Sequence, residues 1–329
     1  MSIAAKNYAA QAQYGLQQYA EHLERVGYGI DATTTRAIAS GIGKAQHFAL
    51  PDGGCIFDDE LRGLKNEQLR LPYPKITVEF FVPETPQEHQ ALPTHNPKVV
   101  VFAEEITSQE AIAMTLRAWL SVPDWMRKHD SFIFVASSNY HRGVWVPLPL
   151  GLLIPQAWDR EDGVENFIEP IIKRPTNTPR FGAAPLFVLP SVAEITRNRL
   201  GEEQAMAELY HDISVDVRAL LELCEALTCS NVGTEIHQPA SEKNARRLAA
   251  GKLPMYETRS LVIESPKPAT VRLAGCNSSR ASPRQHLRRG HIKRFGDKKF
   301  WWNSCSVGDP GAGKIVKDYK VVPARREAA

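Results

Sequence analysis

Two runs rich in β-branched and aromatic residues, KITVEFFV at 75–82 and KVVVFAEEI at 98–106, flank a proline-rich stretch. Side chains of this kind crowd a helix and pack well on a pleated surface, so both runs predict strands. The second leads straight into Thr107-Ser108-Gln109-Glu110. Thr107 and Glu110 have the spacing of a capping box, which predicts a helix running through Trp119. SFIFVASSNY (131–140) and GVWVPLP (143–149) predict two more strands, with His141-Arg142-Gly143 at the turn between them. This strand–helix–strand order defines an α+β fold, a mixed sheet with helices packed on it.

Helical patterns flank the strands. Ile3, Tyr8, Ala12, Leu16, Tyr19, Leu23 and Val26 recur at helical spacing over residues 3–26, and Gly27 suits the stop. Asp31 is placed to cap a second helix that runs towards Phe48, and Pro51-Asp52-Gly53-Gly54 carries turn chemistry. Residues 171–185, rich in proline and polar side chains, read as a long loop before the strand PLFVLP (185–190). Residues 192–229 are helical in period, with a break expected near Asp212. Their apolar positions, among them Leu209, Ile213, Val217, Leu220, Leu221 and Leu227, read as core.

At 329 residues, 43% hydrophobic and 23% charged, the chain has the composition of a soluble globular protein. Its start lacks the basic and apolar regions of a secretory signal. Its most apolar stretch, residues 143–155, is too short and too interrupted by proline to span a bilayer. No membrane partner is expected. Five scattered cysteines, with neither a CxxC pair nor histidines at zinc spacing, predict free thiols in a reducing cytoplasm and no metal site. Cys224 and Cys229, at the end of a helical pattern, read as core residues.

The net charge of +3 conceals a separation. Residues 243–326 hold 20 of the 40 Lys and Arg but only 5 of the 37 Asp and Glu, leaving 20 basic and 32 acidic residues elsewhere. Such separation marks either a polyanion-binding surface or a basic segment that docks on the acidic body of its own chain. The division expected from this shift is a mixed body at 1–240, with a helical lead-in, and a basic β-module at 241–329. Within the module, SEKNARRLAAGK predicts a basic helix stopped by Gly251, and a strand follows over 257–265. Gly296-Asp297-Lys298 is placed to turn a hairpin, and KIVKDYKVV would add a third antiparallel strand. Gly308-x-x-x-x-Gly313-Lys314 has the glycine and lysine frame of a phosphate loop. Ile315 offers no oxygen to Mg²⁺, however, and too little chain follows to build the layers that such a loop serves. That segment reads as a turn, and no cofactor is expected.

The candidate binding residues are Arg280, Arg284, Arg288, Arg289, Lys293, Arg294, Lys298 and Lys299, with Trp301 and Trp302. Cations neutralise phosphates while aromatic rings stack on exposed bases, so this interleaving suits RNA or DNA. Neighbouring strand residues face opposite ways, so one of the two tryptophans belongs to a core. His286 and His291 with Arg289 permit a second reading, a metal-independent endoribonuclease in which a histidine moves the proton and arginine stabilises the developing charge. Asp58-Asp59-Glu60 and Glu104-Glu105 read as solvated acids.

Arg289-Gly290-His291, Trp301-Trp302, Val307-Gly308 and Lys317-Asp318-Tyr319 together resemble the C-terminal module of a group of uncharacterised phage, prophage and mobile-element proteins. RRLAAGKLPMYETRSLVI upstream is similar to the lead-in of that group, and LRLPYPKITVEFF to its N-terminal strand. The resemblance implies a phage or prophage setting, hence the host cytoplasm, and no mechanism. The expected function is nucleic-acid binding through the basic module. The alternatives are the ribonuclease and an inhibitor that binds a host or phage protein through the acidic body.

Overall fold

The computed structural model describes residues 6–56, 70–82, 98–117, 122, 124–156, 183–264, 286–288, 291–296, 298–302, 305–307 and 320–322. Two helices lead, α1 (Tyr8–Arg25) and α2 (Gly29–Ile42). Strands β1 (Gln46–Ala49), β2 (Lys75–Phe81) and β3 (Lys98–Thr107), helix α3 (Ser108–Arg117) and a 3₁₀ turn (Asp124–Lys128) follow. Strands β4 (Ser131–His141), β5 (Val144–Pro147), β6 (Leu150–Pro155) and β7 (Ala184–Phe187) precede α4 (Pro190–Leu200) and α5 (Glu202–Leu227). Strand β8 (Val232–His237), α6 (Ser241–Ala249) and β9 (Thr258–Glu264) come next. The last described strands are β10 (His286–Arg288), β11 (His291–Phe295), β12 (Lys298–Trp302), β13 (Cys305–Val307) and β14 (Lys320–Val322).

Ten strands form one mixed sheet in the order β14-β9-β1-β2-β3-β4-β6-β7, with β5 added to β4 and β8 to β9. β1 runs parallel to β2 and β9, and β14 runs parallel to β9, while the remaining pairs are antiparallel. Strands β2, β3 and β4 are buried along most of their length, so both faces of the sheet are covered. Register sorts the faces, because side chains alternate along a strand. Thr77, Phe102 and Ala136 align on one face, and Val78, Val101 and Ser137 on the other. The Phe102 ring lies against α2, where a Cβ on Gly41 would come within 2.3 Å of it. On the opposite face the Ser137 hydroxyl donates to Asp216 of α5. Helices α1 and α2 therefore cover one face and α5 the other. The α+β class with a mixed sheet and packed helices is the observed architecture.

Neither α1 nor α4 has a side-chain cap of its own. The first amides of a helix have no partner within it and must find one elsewhere. Glu79 of β2 reaches the start of α1, and its Oε2 accepts the Ala9 amide at 2.9 Å. Asp31 of α2 accepts the amide and hydroxyl of Ser191, each at 3.4 Å, at the start of α4. Both carboxyls are fully buried. Burial raises their pKa values, opposed by the donors they accept. A third buried acid, Glu222 of α5, accepts the Ile56 amide at 2.6 Å and holds the 51–56 turn against the helix.

Several sequence expectations hold. The capping box forms as read, the Thr107 amide donating to Glu110 at 2.8 Å and the Glu110 amide to the Thr107 hydroxyl at 3.3 Å. Cys224 and Cys229 are buried, and burial pushes their thiols up to about 12. Others are corrected. Asp31 sits inside the first turn of α2 and serves α4 instead of capping its own helix. That helix ends at Ile42, and residues 46–49 form a strand. The long helical stretch breaks at Gly201, whose φ of 83° closes α4, and Asp212 lies within α5. The third strand of the expected meander instead joins the main sheet, with Lys320–Val322 parallel to β9. Strand β9, beyond residue 240, pairs with β1 and β8 in the main sheet.

The role of the buried acids is open to test by substitution. Glu79→Ala is expected to lower the unfolding free energy by about 2–4 kcal/mol, because it orphans buried amides, whereas Glu79→Gln keeps an acceptor and costs less; urea titration separates them. Burial raises the Asp216 carboxyl to about 7, against the pull of Ser137, from an ordinary value of 3.8. The folded chain thus holds a proton that the unfolded chain releases near pH 3.8. The stabilisation this group provides is complete below that pH and is lost as pH rises towards 7. Asp216→Asn, which cannot ionise, is expected to flatten the measured stability between pH 4 and 7 and to be the more stable protein at pH 8.

Candidate nucleic-acid interface

The C-terminal strands form two antiparallel pairs. β11 and β12 make a hairpin in which His291 faces Trp302, Ile292 faces Trp301 and Lys293 faces Phe300 across the ladder. The turn at Gly296 falls where the sequence placed it. β10 and β13 pair His286 with Val307 and Arg288 with Cys305. The two candidate histidines therefore lie in successive strands, β10 and β11, five residues apart.

The hairpin is bound to the body. Trp301 is 1% exposed and belongs to the same apolar cluster as the sheet and α5. The Asn231 amide group, in the turn between α5 and β8, pairs with the Trp301 main chain in both directions at 2.7 Å and donates to the Glu264 carbonyl at 2.8 Å. The Ser230 amide donates to the Lys299 carbonyl at 2.9 Å. The Lys299 ammonium donates to Glu225 of α5 at 2.9 Å in a half-sheltered setting. Self-docking of the basic segment on the acidic body is thus realised at this point. Trp301 is the core member of its pair, and Lys299 is committed to a carboxylate. Lys298 is exposed at the turn. Arg288, Lys293, Arg294 and Trp302 occupy strand positions in β10, β11 and β12. Arg280, Arg284, Arg289 and the 308–319 segment with its Gly-Lys frame lie outside the described residues, as does Asp58-Asp59-Glu60. Glu104 is ion-paired with Lys75, and Glu105 accepts Gln156 at 2.9 Å. Among the described residues no cluster of three or more His, Cys, Asp or Glu is arranged to hold a metal ion.

A second basic element, absent from the expected site residues, is fully described. Helix α6 buries none of its residues. Lys243, Arg246 and Lys252 are exposed along it and just past its end. They border, with Glu242 and Arg247, a shallow concavity of about 540 Å³. Glu242 approaches Arg246 at 4.0 Å, both almost fully solvated, an arrangement that contributes little. Arg247 donates Nε to the Leu253 carbonyl at 2.8 Å and holds the chain that leaves the helix. The signal was present in the sequence as SEKNARRLAAGK, a basic helix with four cations on it and just past its end. What the sequence did not carry is that none of its residues is buried among the described residues.

No helix among the described residues is long and apolar enough to cross a membrane. No protein-family model, curated protein or solved structure matches the chain.

Trp301→Ala is expected to cost about 3–5 kcal/mol of unfolding free energy. It should also speed hydrogen exchange at Ser230 and along β11–β12 together with the body. A hairpin that was a separate module would instead lose its own protection and leave the unfolding transition of the body unchanged.

Proposed function

We propose that the protein binds nucleic acid through the cations of residues 243–326, with α6 as the principal phosphate-contacting element. The observation that carries this reading is a helix with Lys243 and Arg246 exposed, Lys252 exposed just beyond its end, and no residue buried. An exposed helix that carries cations suits a polyanion. Lys298 at the hairpin tip and the basic strands beyond extend the same sign of charge. The resemblance of the Arg289-Gly290-His291 to Lys317-Asp318-Tyr319 region to phage and prophage proteins supports a phage setting. A protein of that setting meets its nucleic acid in the host cytoplasm.

Affinity for labelled RNA and DNA, measured across a salt series, tests the proposal. The wild type is expected to bind with a steep negative slope of log affinity on log salt. The triple variant Lys243→Ala, Arg246→Ala, Lys252→Ala should bind more weakly and reduce that slope by about 2–3, close to one unit for each phosphate no longer neutralised. All three side chains are exposed, so folding is expected to be unchanged. No binding at low salt, or a variant with wild-type affinity, would overturn the proposal. A denaturing gel of the same samples tests the ribonuclease reading, in which His286, His291 and Arg289 act on the bound strand and His291→Ala abolishes cleavage but not binding.

A further inference from the structure

A second concavity involves the segment that leaves α6. It lies between α1 and the turn joining β4 to β5, encloses about 710 Å³, and takes in Leu253, the residue next to Lys252 of the α6 concavity. Its α1 wall carries Gln11, Tyr14, Gln18 and His22, spaced to share one helix face. Its other wall is the turn His141-Arg142-Gly143, closed below by Trp145. The two walls meet at Gly15, where a Cβ would come within 2.8 Å of the Trp145 ring. Tyr14 is 49% exposed, which leaves an aromatic side chain open to the cleft. No carboxylate lines it among the described residues; its polar groups are amides, phenols, imidazoles and the Arg142 guanidinium.

We infer that this cleft seats an unstacked base of a single-stranded nucleic acid whose adjoining phosphates lie on α6, an inference that rests on the nucleic-acid reading above. Each part has a counterpart in such a strand. An exposed tyrosine offers a surface on which any base can stack. The Gln11 and Gln18 amides can donate to and accept from a base edge, as both kinds of group are present on each side chain. Arg142, with no acid among the described lining residues, meets a phosphate. Consecutive residues Lys252 and Leu253 join the cationic concavity to the aromatic one, as consecutive phosphate and base join along a strand. A duplex keeps its bases stacked inside and has nothing to place in the cleft, so the protein should prefer single strands.

Fluorescein-labelled oligouridylate and oligothymidylate, each alone and annealed to its complement, are titrated with the full chain and with Tyr14→Ala combined with Arg142→Asn. Asparagine is chosen because residue 142 has a φ of 46°, which it tolerates. Both sites are solvent-accessible, and thermal unfolding checks that the variant folds. The expected result is a preference of at least about tenfold for a single strand in the wild type. The variant should lose that preference while its duplex affinity is unchanged. Equal affinity for single strand and duplex, or a variant that keeps the preference, overturns the cleft and leaves the α6 interface standing. Binding to none of the four probes overturns the nucleic-acid reading and the cleft with it.

Discussion

The carboxylate of Glu79 accepts the amide of Ala9 from 70 residues away, and the placement of α1 on the sheet depends on that contact. A strand buried on both faces gains from apolar contact everywhere, which makes its packing strong but poorly directional. The helices that cover it need a contact that fixes position, and hydrogen bonds supply direction. In this chain Glu79 sets the start of α1, Asp31 the start of α4, and Glu222 the turn at 51–56. Each acid comes from a different element than the amide it satisfies, so these helix starts and the turn are specified only when the tertiary structure forms. Burial raises the pKa of both Glu79 and Asp31, and the donors each accepts oppose that rise.

Charge separation along the sequence is resolved in two ways. Part is used inside the molecule, where Lys299 meets Glu225 and the Asn231 amide secures the strand that carries Trp301. Part remains outward on α6, where Lys243 and Arg246 are exposed to solvent. The first makes the hairpin a component of the core, and the second leaves a cationic face that folding does not use. The docking and binding readings of the basic segment therefore describe different residues of one segment.

The elements legible in the sequence were those specified by their own residues. β2, β3 and β4 are seven residues or longer and rich in β-branched and aromatic side chains, and the Thr107–Glu110 box satisfies itself locally. β1 escaped because QHFA is four residues long with no alternation, and its ladder comes from β2 and β9, the latter more than 200 residues on. β8, VGTEIH, escaped because it is half exposed and carries a glycine and little apolar pattern. Asp31 had the residue type of a cap and became one, but for another helix, a distinction that no local window contains. In the candidate interface, the Trp301-Trp302 pair announced that one ring would be core, while Asn231, which determines how the hairpin docks, gave no sign of its role. The basic helix was legible as a helix and as basic; that none of the described elements buries it is a property of its neighbours.

The mounting of α6 bears on what it can bind. Exposed helices of nine residues are marginal in isolation. This one is held by its exit: Asn244 pairs with the Met255 main chain in both directions, and Arg247 holds the Leu253 carbonyl. The next residues are tied to the start of α1, where the Asn7 side chain donates to the Pro254 carbonyl and accepts the Tyr256 amide, while the Tyr256 hydroxyl reaches Gln13. The Tyr256 ring stacks on the buried His47 at 4.7 Å. Burial lowers His47 to about 4, so it remains neutral there and the stack carries no charge. The cations of α6 are thus presented on a segment whose backbone is already ordered, and ordering entropy that a disordered basic tail would lose on binding has been met by folding. Residues 252 to 256 thus connect α6 to the start of α1, and Leu253 among them also lines the aromatic cleft.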